Sequence, residues 1–232
     1  MSYMPSVPVN RSLMMASPEK KSYLDKRDFE QGLKALDEEM GKNEMIAAFA
    51  PIRMITAGGF LAVMYLQSRS STGDLDYLLE PEWAKDPDIQ RPLKEAIFRT
   101  GERLFFDTEW ANEDVALFVT SSTREELFRK AEEQNIVLFK GENLVLLAAP
   151  MEWAVERKIR RIYAVDRGRK AEFDMNDCLA MLKCLRERQD GPLDREYIRT
   201  LNVNSFDVLP DHQIMDLIAT AYRDKYNEEI FR

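Results

Sequence analysis

Two short stretches of this chain hold the residue types that phosphoryl chemistry uses: Gly58-Gly59, and Asp74 and Asp76 separated by Leu75. Paired glycines allow backbone torsions that other residues resist, and let a ligand come close to the main chain. Two carboxylates one residue apart repel each other unless a cation lies between them, and in a strand residues i and i+2 point to one face. Mg²⁺ is satisfied by one or two protein carboxylates, with substrate phosphates and water completing its octahedron. Two such ions could clamp the attacking and leaving oxygens of an in-line displacement. The pattern lacks the third glycine of the dinucleotide fingerprint and the Gly-Lys-Ser/Thr of a P-loop. The chemistry that fits it is metal-dependent nucleotidyl transfer.

Those residues need elements to position them. Residues 53–56 read as a short strand and 74–79 as a second one. Between them, 60–66 is apolar nearly all round, as an enclosed helix is. Its N-terminus, opened by Gly58 and Gly59, offers unpaired N–H groups and a positive dipole end on which a triphosphate could rest. Upstream, Leu24, Phe29, Leu33, Leu36 and Met40 give an amphipathic helix over about 24–41, stopped by Gly41. Downstream come a Pro-punctuated acidic loop over 80–92, a helix over 92–102 and a strand over 115–120. Ser122, with Glu125 three residues on, predicts the next helix start. Residues 136–139 and 144–147 flank Lys140-Gly141-Glu142-Asn143 as a hairpin would. From Pro150 the pattern is helical over 151–166, 175–188, 194–201 and 211–226, with Gly191-Pro192 as a break. The order predicts an α/β (α+β) fold: a small mixed β-sheet with helices and a C-terminal helical subdomain. Residues 1–22 read as a disordered tail, 23–150 as the core, and 151–232 as a helical subdomain packed on that core and contributing to the site.

The Gly-Gly helix start and the Asp-x-Asp strand resemble the nucleotidyltransferase fold, and within it the AbiE-type (AbiEii-like) toxin nucleotidyltransferases. The approach Arg69-Ser70-Ser71-Thr72-Gly73-Asp74-Leu75-Asp76 is similar to theirs. So are Glu156-Arg157-Lys158-Ile159, Ala164-Val165-Asp166-Arg167 and Phe173-Asp174-Met175-Asn176-Asp177-Cys178-Leu179. The likeness spans roughly 45–185, and departs from the family where Phe173 replaces an arginine. It implies a transferase that moves a nucleoside monophosphate from an NTP to an acceptor, with Mg²⁺ or Mn²⁺, releasing pyrophosphate. It implies Asp74 and Asp76 as metal ligands, Lys158 as the charge that meets the triphosphate, and Asp174 as the group completing the site. Gly58 and Gly59 would approach the phosphates. Asp177, three residues after Asp174, is either a functional partner or a local pair. Glu113 and Asp114 are candidates for a third carboxylate. The alternative is an inactive protein of the same fold that binds a nucleotide or another protein.

The chain has 232 residues, 45% hydrophobic and 32% charged, enough to bury a sizeable core. A net charge of −8 does not suit a general nucleic-acid binder. A basic stripe of Arg157, Lys158, Arg160, Arg161, Arg167, Arg169 and Lys170 is the place an RNA acceptor would meet, unless it serves the triphosphate or is a solvated helix face. The acceptor is otherwise open: an RNA end, a protein side chain or a small molecule. Cys178 and Cys184 fall on different faces of one helix, which suits neither a zinc pair nor a local disulfide and fits a reducing compartment. His212 reads as a surface residue, so zinc chemistry is not expected. No secretory signal or membrane span is expected, and a cytoplasmic location follows. The Met-, Ser- and Pro-rich tail, with Arg11, Lys20 and Lys21 against Glu19, also admits a mitochondrial-targeting reading.

Overall fold

Short runs of branched and aromatic residues form the centre of the chain in the computed structural model, which describes residues 19–164, 169–205 and 208–232, without the side chains of Arg169 and Lys170. In chain order the first half comprises β1 (Leu24–Asp25), α1 (Lys26–Met40), α2 (Glu44–Phe49), β2 (Ile52–Thr56), α3 (Gly59–Met64), β3 (Ser71–Thr72), β4 (Leu75–Leu79) and α4 (Pro87–Leu104). The second half comprises β5 (Ala111–Asn112), a 3₁₀ turn (Asp114–Phe118), α5 (Ser121–Gln134), β6 (Val137–Lys140), β7 (Leu144–Ala148), α6 (Met151–Tyr163), α7 (Arg169–Gln189), α8 (Arg195–Arg199) and α9 (His212–Tyr226). The fold is mixed α/β, as the sequence implies.

Five strands make one mixed sheet in the order β5-β4-β2-β7-β6, and β1 pairs with β3 in a separate ribbon. β2 lies antiparallel to β4, with Thr56 opposite Tyr77, and parallel to β7, with Thr56 opposite Ala148. Side chains alternate across the sheet. Ile52, Met54, Leu75, Tyr77, Leu79, Leu144 and Leu146 face one core, shared with α1 and α4. Ile55, Leu78 and Leu147 face the other, shared with α5, α6, α7 and α9. The helices of 151–232 therefore close no core of their own; they complete the one on the second face of the sheet.

Several expected boundaries move, each for a local reason. The helix expected over 92–102 begins at Pro87, where Asp86 caps it and proline suits the first turn. Pro92 sits inside that helix, and the carbonyl it leaves without a partner belongs to exposed Asp88, where water can reach it. Residues 115–120 form no strand. The β4 edge is met by β5 at Leu75 and Asp76 and by side chains at Leu79, whose N–H donates to Glu113 and whose carbonyl accepts from Arg124; Asp114–Phe118 winds into a 3₁₀ turn with Ala116 N–H donating to the Glu113 carbonyl. Thr120, not Ser122, caps α5: its extended backbone lets its hydroxyl accept from Thr123 N–H. α7 starts at Arg169 rather than 175, so Phe173 and Asp174 lie on a helix. Most of the expected tail, residues 1–18 with Arg11, lies outside the described residues. Lys20 and Lys21 do not belong to a loose tail, because Lys20 pairs with Glu102 and Lys21 bridges to Phe106 and pairs with Asp28. No helix among the described residues is long and apolar enough to cross a membrane.

Candidate functional site

Gly58 adopts φ +82°, a left-handed torsion that favours glycine, and turns the chain out of β2 into α3. A Cβ there would lie 3.4 Å from Asp76 Oδ2, so the Gly58 backbone faces the second carboxylate directly. Gly59 has a packing reason to be glycine: a Cβ would come within 2.0 Å of the Thr72 hydroxyl oxygen. α3 has six residues, too short for a long summed dipole, so a phosphate near Gly58 and Gly59 would meet individual N–H groups.

Asp76 lies on β4 and points to the same face as Leu78, toward α6. The Thr56 hydroxyl donates to the Asp76 carbonyl at 2.6 Å and fixes the strand there. Asp74 sits in the bend just before β4. Burial pushes the Asp76 carboxyl above the ordinary aspartate range, and the charge of Asp74 pushes it further. Arg157 and Arg161 pull it back, while Asp114 adds a smaller upward push. An acid whose proton affinity is raised by a neighbouring acid is part of the donor set a hard cation suits, and Mg²⁺ asks for only one or two such carboxylates. Of the acids considered for a third position, Glu113 is committed elsewhere: it pairs with Arg124 at 2.6 Å and accepts from Leu79 N–H at 2.9 Å. Asp114 is exposed and close enough for its charge to act on Asp76. Among the described residues, no group of three or more His, Cys, Asp or Glu side chains is placed to hold a metal ion. The donors present are the Asp74–Asp76 pair.

Opposite the carboxylates stands a buried ion network. Lys158 on α6 is only 3% exposed, and its Nζ lies 2.8 Å from Asp174 Oδ1 and 2.7 Å from Asp177 Oδ2. Arg69 grips Asp177 with two bonds, Nε to Oδ1 at 2.9 Å and Nη2 to Oδ2 at 2.5 Å, and Ser68 donates to the same Oδ1 at 3.1 Å. Arg161 Nε lies 3.2 Å from Asp174 Oδ2. Asp177, a turn beyond Asp174, thereby joins the α3–β3 connection to α6 and α7. Charges this far from water hold only when paired, and here each aspartate faces more than one cation.

Both sets line one cleft of about 460 Å³, bounded among others by Gly59, Arg69, Asp74, Asp76, Lys158, Arg161 and Asp174. A second, narrow pocket of about 20 Å³ shares Asp76, Lys158 and Arg161 with it and is lined by Gly58, Val115, Trp153 and Arg157. It has room for about one water. Arg157 lies over the Trp153 ring at 4.9 Å, its Nη1 is buried without a hydrogen-bond partner among the described residues, and burial lowers its pKa.

The structure thus brings Gly58, Gly59, Asp74, Asp76, Lys158 and Asp174 to one place. It breaks up the basic stripe. Lys158 is buried, Arg161 turns to Asp174, and Arg160 is held by Glu156 and Asn202. Arg167 and the side chains of Arg169 and Lys170 lie outside the described residues. A solvated face is corrected for Lys158 by helix period: Ala154 and Val155 are buried, and the positions four residues on are Lys158 and Ile159. Arg69 and Asp177 carry more of the site than their sequence context suggests. The signal for Asp177 was its place one turn from Asp174; for Arg69 there was none, because its partner lies 108 residues away.

No family model, no curated protein and no solved structure matches this chain.

Proposed function

We propose that this chain is a Mg²⁺-dependent nucleotidyltransferase, moving a nucleoside monophosphate from an NTP to an acceptor and releasing pyrophosphate. The observation that carries the reading is one cleft with a carboxylate pair on one wall and Arg69, Lys158 and Arg161 on the other. A polyphosphate carried by a cation needs both: acids for the metal, bases for the phosphates. Mg²⁺ or Mn²⁺, when bound, would neutralise charge on the phosphates and polarise the reacting one. The likeness to AbiE-type nucleotidyltransferases supports the same reading from the sequence motifs.

The chain's own part is positioning and charge, which suffices for phosphoryl chemistry. Asp74 and Asp76 hold the cation against β4. Lys158, held by two ion pairs, and Arg161 line the cleft, so positive charge is already in place when negative charge builds on the phosphates. Both Asp174 oxygens are engaged, Oδ1 by Lys158 and Oδ2 by Arg161, so Asp174 positions those cations rather than reaching for an acceptor proton. The acceptor, whether an RNA end, a protein side chain or a small molecule, would enter from the open side of the cleft. A cytoplasmic location is part of the proposal.

A second reading, a nucleotide binder without turnover, is favoured by one feature. Lys158 is tied into two buried ion pairs rather than free to follow a leaving phosphate. Thermal unfolding with each of four NTPs, with and without Mg²⁺, tests binding. A Mg²⁺-dependent rise lost in Asp74→Asn/Asp76→Asn supports both readings; at one hundred times Kd it should reach about 2.7 kcal/mol. Pyrophosphate release then separates them. No rise with any NTP removes both.

A further inference from the structure

Two aromatic residues line the cleft with half or more of their surface in water. Phe173 is 50% exposed and Tyr23 is 72% exposed, and both line the cleft beside Asp74 and Asp174. The Phe173 ring is backed on one side. The guanidinium of Arg69 lies over Phe173, 4.9 Å from the ring centroid. That guanidinium is itself fixed by its two bonds to fully buried Asp177. One flank of the ring is therefore backed by a clamped cation, and the exposed remainder borders the cleft. Tyr23 is placed by the ribbon. β1 pairs with β3, Leu24 opposite Thr72, which brings the preceding residues alongside Gly73. A Cβ on Gly73 would lie 3.5 Å from the Ser22 carbonyl oxygen. So Tyr23 stands on the Asp74 side of the mouth and Phe173 on the Asp174 side.

A ring held rigid by a locked partner but left bare is poor at stabilising a fold and well suited to receive another ring. Every nucleobase offers a π face, and stacking on an aromatic side chain does not depend on the base's hydrogen-bonding edge. The geometry points to Phe173, with Tyr23, as the stacking surface for the heteroaromatic base of the nucleotide whose phosphates enter the cleft. The base is held by its face, outside the carboxylates, while the phosphates run inward. This inference rests on the nucleotide reading above.

Calorimetric titration of the full chain with Mg²⁺ and inorganic tripolyphosphate, beside Mg²⁺ with ATP, GTP, CTP or UTP, isolates the base. Each NTP is expected to bind more tightly than tripolyphosphate, by roughly 5- to 150-fold. In Phe173→Leu that advantage shrinks toward nothing while tripolyphosphate binding is kept; Phe173→Trp retains it. Tyr23→Ala, at an exposed position that leaves the fold intact, should lose part of it. Equal binding of NTPs and tripolyphosphate to the native chain overturns the inference, as does an advantage that survives both Phe173→Leu and Tyr23→Ala. Loss of tripolyphosphate binding in Phe173→Leu overturns it too, since the ring would then be serving the phosphates. Native protein that binds neither ligand removes the nucleotide reading and this inference with it, an outcome distinct from the other three.

Discussion

Asp76 is held where a carboxylate is costly. It is partly buried, it faces Asp74, and its proton affinity is raised for both reasons. A carboxyl whose folded pKa lies above its unfolded value destabilises the fold at pH values above that folded pKa, and the penalty fades as falling pH protonates it. Asp76→Asn is therefore expected to raise the Tm of the metal-free protein at pH 7, by about 2–4 °C if the relief is near 1 kcal/mol. The gain should shrink as pH drops through the raised Asp76 pKa, into the ordinary aspartate range. A Tm that falls at pH 7 would mean that Arg157 and Arg161 more than compensate the charge. The pair Asp74–Asp76 was legible as two acids one residue apart, but not by strand period: the strand expected over 74–79 begins at Leu75, and Asp74 lies in the bend before it. Arg69 was not legible, because an arginine in a Ser-rich loop says nothing about a carboxylate on a distant helix.

Elements here are joined by side chains as much as by the sheet. Asp37, on the last turns of α1, reaches the turn between β6 and β7. Its carboxylate accepts from Asn143 and Leu144 N–H groups, each at 2.8 Å, and from Glu142 N–H at 3.2 Å. Asp37→Ala leaves those backbone donors without that acceptor and should cost about 1–3 kcal/mol in urea unfolding, with Asp37→Asn costing less. An unchanged midpoint in Asp37→Ala would show that water replaces the carboxylate. The hairpin itself was readable from two apolar runs around Lys140-Gly141-Glu142-Asn143. The false strand at 115–120 was a different case. Val115-Ala116-Leu117-Phe118-Val119 has strand composition, but composition does not reveal whether a free edge exists to pair with. Leu117 is left 84% exposed as a result.

At the scale of the molecule, the sheet separates two apolar cores, and the buried ion network ties the C-terminal helices to the α3–β3 connection. Because α6, α7 and α9 share their core with β2, β4 and β7, heat or urea should unfold the described chain in one transition. Asp177→Ala strips a partner from both Arg69 and Lys158 and is expected to destabilise by about 3–5 kcal/mol, read from the urea midpoint. Two separate transitions, or a loss below 1 kcal/mol, would show that the network is incidental. The fold class could be read in advance because apolar period survives without tertiary knowledge. The inward turn of the basic stripe could not be read from net charge, since a formal balance of −8 does not tell which cations face acids inside.

Synthesis runs in one direction, and Arg69 leaves the ribosome 108 residues ahead of Asp177. At about 5–20 residues per second, that is a delay of roughly 5–20 s. In that interval β2 and β4 can meet and set the two aspartates side by side, while Arg69 still has no anchor. Lys158 and Arg161 arrive next, before the helix whose acids hold them. The cleft thus cannot close before α7 is made, and a nascent chain halted ahead of it would carry its carboxylates without the acids that anchor the opposing cations.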